Sequence, residues 1–217
     1  MMITTSKMPK AIIFFGPDGS GKTTQADLLV KDLEKNGVRT KRLWLRSLHT
    51  LAFVISKLAM RILDLKDVYE FRSKYSRRGS FRSIWYIIEF ISIIPLVLLK
   101  FRIPLSIGYT VVAERYIIDW MVSVSYASRN ELFIDSLIAR LAFKLIPKQS
   151  LLIFIDASYD AIRLRGRTED SFEFIQFQRT LYARIANKLN SLVINTSDKT
   201  LPEVHKLISQ YALQVSP

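Results

Sequence analysis

Ala11-Ile12-Ile13-Phe14-Phe15-Gly16-Pro17-Asp18-Gly19-Ser20-Gly21-Lys22-Thr23-Thr24-Gln25 is the stretch on which the reading of this chain turns. Five consecutive apolar residues suit a strand covered on both faces, as in a parallel sheet. The loop behind them fits G-x-x-x-x-G-K-S/T, in the strand–loop–helix context that makes such a match meaningful. Ala26, Leu28, Leu29 and Leu33 then recur at helical spacing until Asn36-Gly37 stops the helix. Glycines let successive backbone N–H groups turn inward, and the following helix aims its positive end at the same place, so the loop is a cradle for phosphate. On this reading Gly16, Asp18, Gly19, Ser20, Gly21, Lys22, Thr23 and Thr24 hold a nucleoside triphosphate. Lys22 bridges its β- and γ-phosphates, and the Thr23 hydroxyl takes a position on Mg²⁺.

Working outward, strand-like and helix-like segments alternate. Val38–Leu45, Tyr109–Glu114, Leu151–Ile155 and Ser191–Asn195 read as further strands. Helices are expected at Leu51–Leu65, Arg82–Phe101, Ile117–Ala127, Leu132–Leu145, Phe172–Asn190 and Leu201–Leu213. A basic, polar link, FRSKYSRRGS, separates the second and third helices. The expectation is an α/β fold of three layers, with a five-stranded parallel sheet between helices, as one domain over residues 1–217. Ligands of such sheets bind beyond the carboxyl ends of the strands, so chemistry should collect after Phe15, Leu45, Ala113 and Ile155.

Composition removes several alternatives. The 217 residues are 49% apolar and 24% charged, enough for a core and against global disorder. Cysteine is absent, which excludes disulfides, thiolate-held metals and a cysteine nucleophile. The two histidines, His49 and His205, read as ordinary structural residues. Net charge is +13, and residues 41–110 hold 13 Lys/Arg against 4 Asp/Glu. Such a block attracts nucleotides, nucleic acid or anionic lipid without choosing among them. Ile84–Leu99 is mostly apolar but carries Glu89, Ser92 and Pro95, and it falls short of the ~20 residues that span lipid. It reads as a buried helix. With no secretory leader visible, the expected compartment is the cytoplasm.

Two other strand ends carry chemistry. Glu114-Arg115-Tyr116 puts a carboxylate beside the cradle, able to hold metal-bound water or accept a hydroxyl proton, next to an arginine able to clamp a second phosphate. Arg163, Arg165 and Arg167 alternate around Gly166 after the fourth strand. They suit a lid, about residues 163–172, that closes over transferring phosphates and neutralises their charge.

GPDGSGKTTQ, the ERY tripeptide and the RLRGR segment, taken in order, resemble thymidylate kinases, P-loop nucleoside monophosphate kinases. The resemblance covers nearly the whole chain. It implies transfer of the ATP γ-phosphoryl to dTMP with Mg²⁺, with ATP on the P-loop and Mg²⁺ held through Thr23 and Glu114. It also implies that Asp18 contacts the acceptor sugar, that Arg46 and Arg115 hold the acceptor phosphate beside Tyr116, and that the catalytic arginine comes from the lid. Members pair through helices, so a homodimer is expected, with Ile84–Leu99 as the candidate surface.

Several positions depart from the family pattern. Glu114 replaces the usual aspartate, Asp119 takes the place of a serine, and Ile93 falls near a base-reading arginine. Phe90 or Trp85 can stack on a base or pack in the core. The leading expectation is a dTMP kinase that uses Lys22, Glu114 and Arg163, Arg165 or Arg167. A kinase for another acceptor, such as a deoxynucleoside or a sugar phosphate, is the alternative within enzymes. An ATP-dependent switch that engages nucleic acid or membrane through 41–110 is the alternative outside them.

Overall fold

A computed structural model of the protein describes residues 8–45, 79–166 and 170–213. Arg46, His49, the helix expected at Leu51–Leu65, most of the basic link and Arg167 lie outside these residues. Five strands form one sheet: β1 (Ala11–Phe15), β2 (Thr40–Trp44), β3 (Thr110–Glu114), β4 (Ser150–Asp156) and β5 (Leu192–Asn195). Their order is β2-β3-β1-β4-β5 and every pair is parallel. β1 therefore lies at the centre, and the loop after it opens at the middle of the sheet's carboxyl edge.

Alternation along β1 explains its unbroken apolar run. Ile12 and Phe14 pack with Leu29 and Leu33 of α1 (Lys22–Lys35) and Ile208 of α8 (Leu201–Leu213). Ile13 and Phe15 face the opposite layer, with residues of α2 (Gly79–Val97), α4 (Ile117–Ser128), α5 (Leu137–Phe143) and α7 (Phe172–Lys188). Helices α3 (Ile103–Ser106) and α6 (Tyr159–Leu164) are short connectors.

Two helices differ from expectation. The segment expected at Leu132–Leu145 splits, because Ser136 caps α5 by accepting from Ala139 N at 3.2 Å. A 3₁₀ turn, Glu131–Asp135, precedes it. A serine able to bond its own backbone favours such a break over a helix interior. The apolar helix runs longer than expected, through a widened π turn at Leu98–Arg102 into α3. Pro104 has no N–H to offer the preceding turn, which fits a widened ladder just before it.

This long helical stretch, Arg82–Ser106, is apolar and long enough to cross a membrane by length and composition. It is not a wholly buried helix. Trp85, Tyr86, Ile93 and Val97 enter the core, whereas Ile84, Ile87, Ile91, Leu98 and Leu99 stay exposed.

Candidate active site

The β1–α1 loop is moulded against the sheet. Gly16 has φ 144°, and a Cβ there would stand 2.1 Å from the Ile155 carbonyl oxygen of β4, so only glycine fits. Gly19 and Gly21 also have positive φ, 79° and 101°. Lys22 is almost fully buried, and its Nζ donates to the carbonyls of Gly16 (2.8 Å) and Pro17 (2.7 Å). Asp18 Oδ1 stands 3.7 Å from the same ammonium. Burial pushes the Lys22 pKa down, opposed chiefly by the Asp18 charge.

At the end of β3, Glu114 joins the cradle to β2. Its Oε1 accepts from the Thr23 hydroxyl and its Oε2 from Arg42 Nη2 at 2.6 Å. Arg42 also pairs with Asp27 of α1. Arg115 adopts the left-handed backbone conformation, φ 62°, and turns its guanidinium onto Asp18. A non-glycine residue in this region stores strain and persists where its surroundings hold it.

Behind these cations lies Asp119 of α4, buried, accepting from Tyr116 N at 3.0 Å and from the Tyr182 hydroxyl at 2.8 Å. Burial pushes its carboxyl up, against the pull of Arg115 and Lys22. Burial works against the Arg115 cation too, but Asp119 and Asp18 outweigh it and its pKa rises. Two cations share one cradle because a carboxylate stands on either side of them. One turn before Tyr182 on α7, Gln178 Oε1 accepts from Asp18 N at 3.4 Å, so a single helix steadies both the loop and its counter-charge.

Two cavities meet at this wall. One, of 480 Å³, lies over the loop and extends between Arg165 and the segment after β5, with Thr196, Lys199 and Leu201. The other, of 490 Å³ and wider at the mouth, is lined by Thr23, Arg42, Leu43, Trp44, Glu114 and Arg115. Thr23, Glu114 and Arg115 belong to both.

Gly19, Ser20, Gly21, Lys22, Thr23 and Thr24 come together as expected from sequence, with Asp18, Glu114, Arg115 and Arg165. The lid arginines separate. Arg165 bonds the Thr196 hydroxyl at 3.2 Å and the Thr196 carbonyl, while Arg163 lies over the Tyr159 ring, 5.8 Å from its centroid. Tyr116 is a correction: it is fully buried, its hydroxyl donating to the Leu145 carbonyl at 2.9 Å, so it builds the wall behind the site. Phe90 packs on the core near Trp120, with 6.3 Å between ring centroids, and lines neither cavity. Ile93 is likewise in the core.

Arg42, Trp44, Thr196 and Lys199 line the two cavities without standing in any of the sequence motifs. The strand-end rule applied to β5 points to Thr196 and Lys199, and β2 alternation puts Arg42 and Trp44 on one face.

His205 forms no metal site. Its Nε2 lies 2.7 Å from Asp32 Oδ2, tying α8 to α1. Among the described residues no cluster of three or more acidic or histidine side chains could hold a metal ion by itself.

A parallel sheet in this order, with a glycine-rich phosphate cradle on its central strand, defines a P-loop α/β protein of the three-layer kind. No family model matches the sequence. A probable thymidylate kinase of Methanocaldococcus jannaschii is 30% identical over 203 residues, covering 92% of this chain and 94% of the relative. Another from Methanococcus aeolicus is 30% identical over 213 residues, covering 93% and 94%. Among solved structures, thymidylate kinase from Candida albicans superposes with a TM-score of 0.65 at 16% identity, over 95% of this chain and 92% of that one. The thymidylate kinase of Ehrlichia chaffeensis gives 0.56 at 22% identity, over 96% and 98%. The chain belongs to the thymidylate kinase family, and is an ATP-dependent kinase, a transferase.

Proposed function

We propose that this chain transfers the γ-phosphoryl group of ATP to dTMP, giving dTDP and ADP. The observation that carries the reading is the shared wall: two cavities meet at Thr23, Glu114 and Arg115, beside the buried Lys22. Phosphoryl transfer between two bound nucleotides needs a donor site and an acceptor site that touch where charge moves. The cavity over the loop suits ATP, with Lys22 on its terminal phosphates and Arg165 closing from the lid. The wider one suits the acceptor, whose phosphate Arg115 holds, joined by Arg42. An acceptor that already carries a phosphate dianion needs no general base, and Arg115 and Arg42 favour such an acceptor.

Thr23 and Glu114 fit Mg²⁺. They are hard oxygen donors already in contact, and an ion that keeps waters and phosphate oxygens needs few protein ligands. Bound there, Mg²⁺ would supply charge neutralisation on the phosphates. The rest falls to the chain: the loop amides orient the donor, Lys22 and Arg165 offset charge on the moving group, and Asp18 sets the direction of Arg115.

A second reading, another monophosphate as acceptor, is favoured by Ile93. It stands in the core, near the position at which the family resemblance of the sequence leads one to expect a base-reading arginine. ADP release from Mg·ATP against dTMP, dUMP, UMP, CMP, AMP, GMP and their nucleosides, with Lys22→Ala as the blank, decides. Turnover with dTMP alone supports the first reading. Turnover with another monophosphate moves the assignment to that one, and absence of acceptor-dependent turnover overturns both.

The proposed protein partner is a second copy, paired across the exposed apolar face of α2, where Ile84, Ile87 and Ile91 recur at helical spacing. Sedimentation at micromolar concentration should give a dimer that Ile87→Glu dissociates; a wild-type monomer overturns this. Small nucleotides and the cytoplasm complete the proposal.

A further inference from the structure

All strands of the sheet are parallel, so all of them begin on one edge, opposite the phosphate cradle. The residues that lead into them are basic. Arg39 precedes β2, Lys10 precedes β1 and Lys148 stands just before β4. Backbone bonds join these lead-ins across the edge: Thr110 N donates to the Arg39 carbonyl at 2.8 Å, Val111 N to that of Lys10 at 2.9 Å, and Lys10 N to that of Gln149 at 2.9 Å. The long apolar helix ends on the same edge, because it leads into β3. Arg102 Nη2 donates to the Leu145 carbonyl at 3.3 Å and Arg39 Nη2 to the Ile107 carbonyl at 3.5 Å, which ties the Leu98–Arg102 turn and α3 to the basic lead-ins. Lys100 and Lys144 complete the rim. All six of these cations are exposed. None of them forms an ion pair among the described residues. Glu34, at the end of α1 on this edge, accepts from the Thr40 hydroxyl at 2.9 Å.

Set into this rim are Leu98, Leu99, Ile103 and Ile107, each at least 49% exposed. They lie further along the helix than Ile84, Ile87 and Ile91, the surface proposed for the second copy. Aliphatic side chains ringed by unpaired Lys and Arg match an anionic bilayer twice over. The apolar groups enter the acyl boundary while the cations meet headgroup phosphates. Nucleic acid would use the cations alone. A second copy docked symmetrically here would set this basic rim against its own like, and facing like charges repel.

We propose that the amino edge of the sheet docks on an anionic lipid surface, with Leu98, Leu99, Ile103 and Ile107 entering it inside the rim of Lys and Arg. The helix lies on the bilayer and does not cross it. Arg82–Ser106 is long and apolar enough to span, but Trp85, Tyr86, Ile93, Val97 and Phe101 are taken up by the core. The five residues of β1, at about 3.3 Å each, hold the cradle about 16 Å from the docked edge, so both cavities stay open to solvent. Docking places the enzyme at a membrane and leaves the transfer step alone.

The test is co-sedimentation of the full chain with vesicles of phosphatidylglycerol and phosphatidylcholine in equal parts, beside vesicles of phosphatidylcholine alone. Wild type binds the anionic vesicles at least about tenfold more tightly than the neutral ones. The preference fades between about 0.1 M and about 1 M salt, as the screening length falls from about 10 Å to about 3 Å. Leu99→Gln/Ile107→Gln, which leaves the charge unchanged, weakens binding about tenfold or more. Lys100→Glu/Lys148→Glu weakens it about 25-fold or more, at about fivefold for each basic residue near the surface. Both variants keep the wild-type melting temperature, since their side chains are exposed; Leu98→Gln/Ile103→Gln replaces the first wherever that one fails to fold. Wild type that binds no vesicle, or binds both kinds equally, overturns the proposal without recourse to a variant. Unchanged binding in both aliphatic variants leaves charge alone and overturns the lipid face. Tighter binding to duplex DNA than to anionic vesicles at the same salt, lost in Lys100→Glu/Lys148→Glu, overturns it in favour of nucleic acid. A lipid-free dimer that Leu99→Gln/Ile107→Gln dissociates overturns it in favour of a second copy.

Discussion

The Tyr182 hydroxyl donates to Asp119 Oδ1 at 2.8 Å, and both side chains are buried beneath Lys22 and Arg115. The phenol of one helix thus fixes the counter-charge of two cations at the cradle that stand on other elements. Removing the donor leaves a buried carboxylate with one bond fewer. Tyr182→Phe is expected to lower stability by about 1–3 kcal/mol, measured by urea unfolding. An unchanged midpoint would show that the bond contributes nothing.

Asp119 also gives a pH dependence. Burial raises its carboxyl above the ordinary 3.8 in the folded chain. A group raised on folding contributes stability that is present in full below its ordinary value and is lost as pH rises through the raised one. The difference in unfolding free energy between wild type and Asp119→Asn should therefore shift against the wild type as pH rises across that interval. A difference independent of pH over the acidic range contradicts the raised value.

Lys22 separates activity from stability. Its ammonium is buried and its pKa is pushed down by that burial, so the charge is held at a cost to folding. Lys22→Met should lower turnover on the order of 10³-fold, as losses of positioned charge do, while the melting temperature stays or rises. Calorimetry beside the ADP-release assay checks both halves, and a marked fall in melting temperature contradicts the second.

Gly16→Ala meets the Ile155 carbonyl oxygen at 2.1 Å with φ at 144°. Because backbone is on both sides of that contact, neither can yield cheaply. The variant should lose about 3 kcal/mol or more of stability and bind ATP weakly, read by unfolding and by nucleotide titration.

The lid arginines should not be equivalent. Arg165 lines the cavity over the β1–α1 loop and bonds Thr196, whereas Arg163 rests over the Tyr159 ring. Arg165→Ala is expected to reduce kcat by roughly 10²-fold and Arg163→Ala by only a few-fold. Equal losses would indicate that closure brings both to the phosphates.

The fold was legible because local signals and tertiary demands coincide. β1 was placed to the residue, since a central parallel strand must be apolar on both faces, and the loop chemistry of Gly16–Thr24 admits few alternatives. Boundaries failed where a polar side chain decided matters locally, as at Ser136. The site was legible only where the chain announces its chemistry in consecutive residues. Lys22, Glu114 and Arg115 stand in motifs; Arg42, Trp44 and Thr196 do not, and only the register of β2 on β3 and the reach of β5 toward the loop bring them in. Tyr116 misled because it adjoins Arg115, yet the left-handed turn at Arg115 sends the next side chain into the core.

One wall serves both cavities, and that has a thermodynamic corollary. Thr23, Glu114 and Arg115 cannot adjust to an occupant on one side without altering what they offer on the other. Ligands bound in the two cavities would therefore be linked functions. By whatever factor the first tightens or loosens the second, the second changes the first by the same factor. On the proposed assignment of the cavities, neither nucleotide has a septum of its own, and filling one seat is felt at the other.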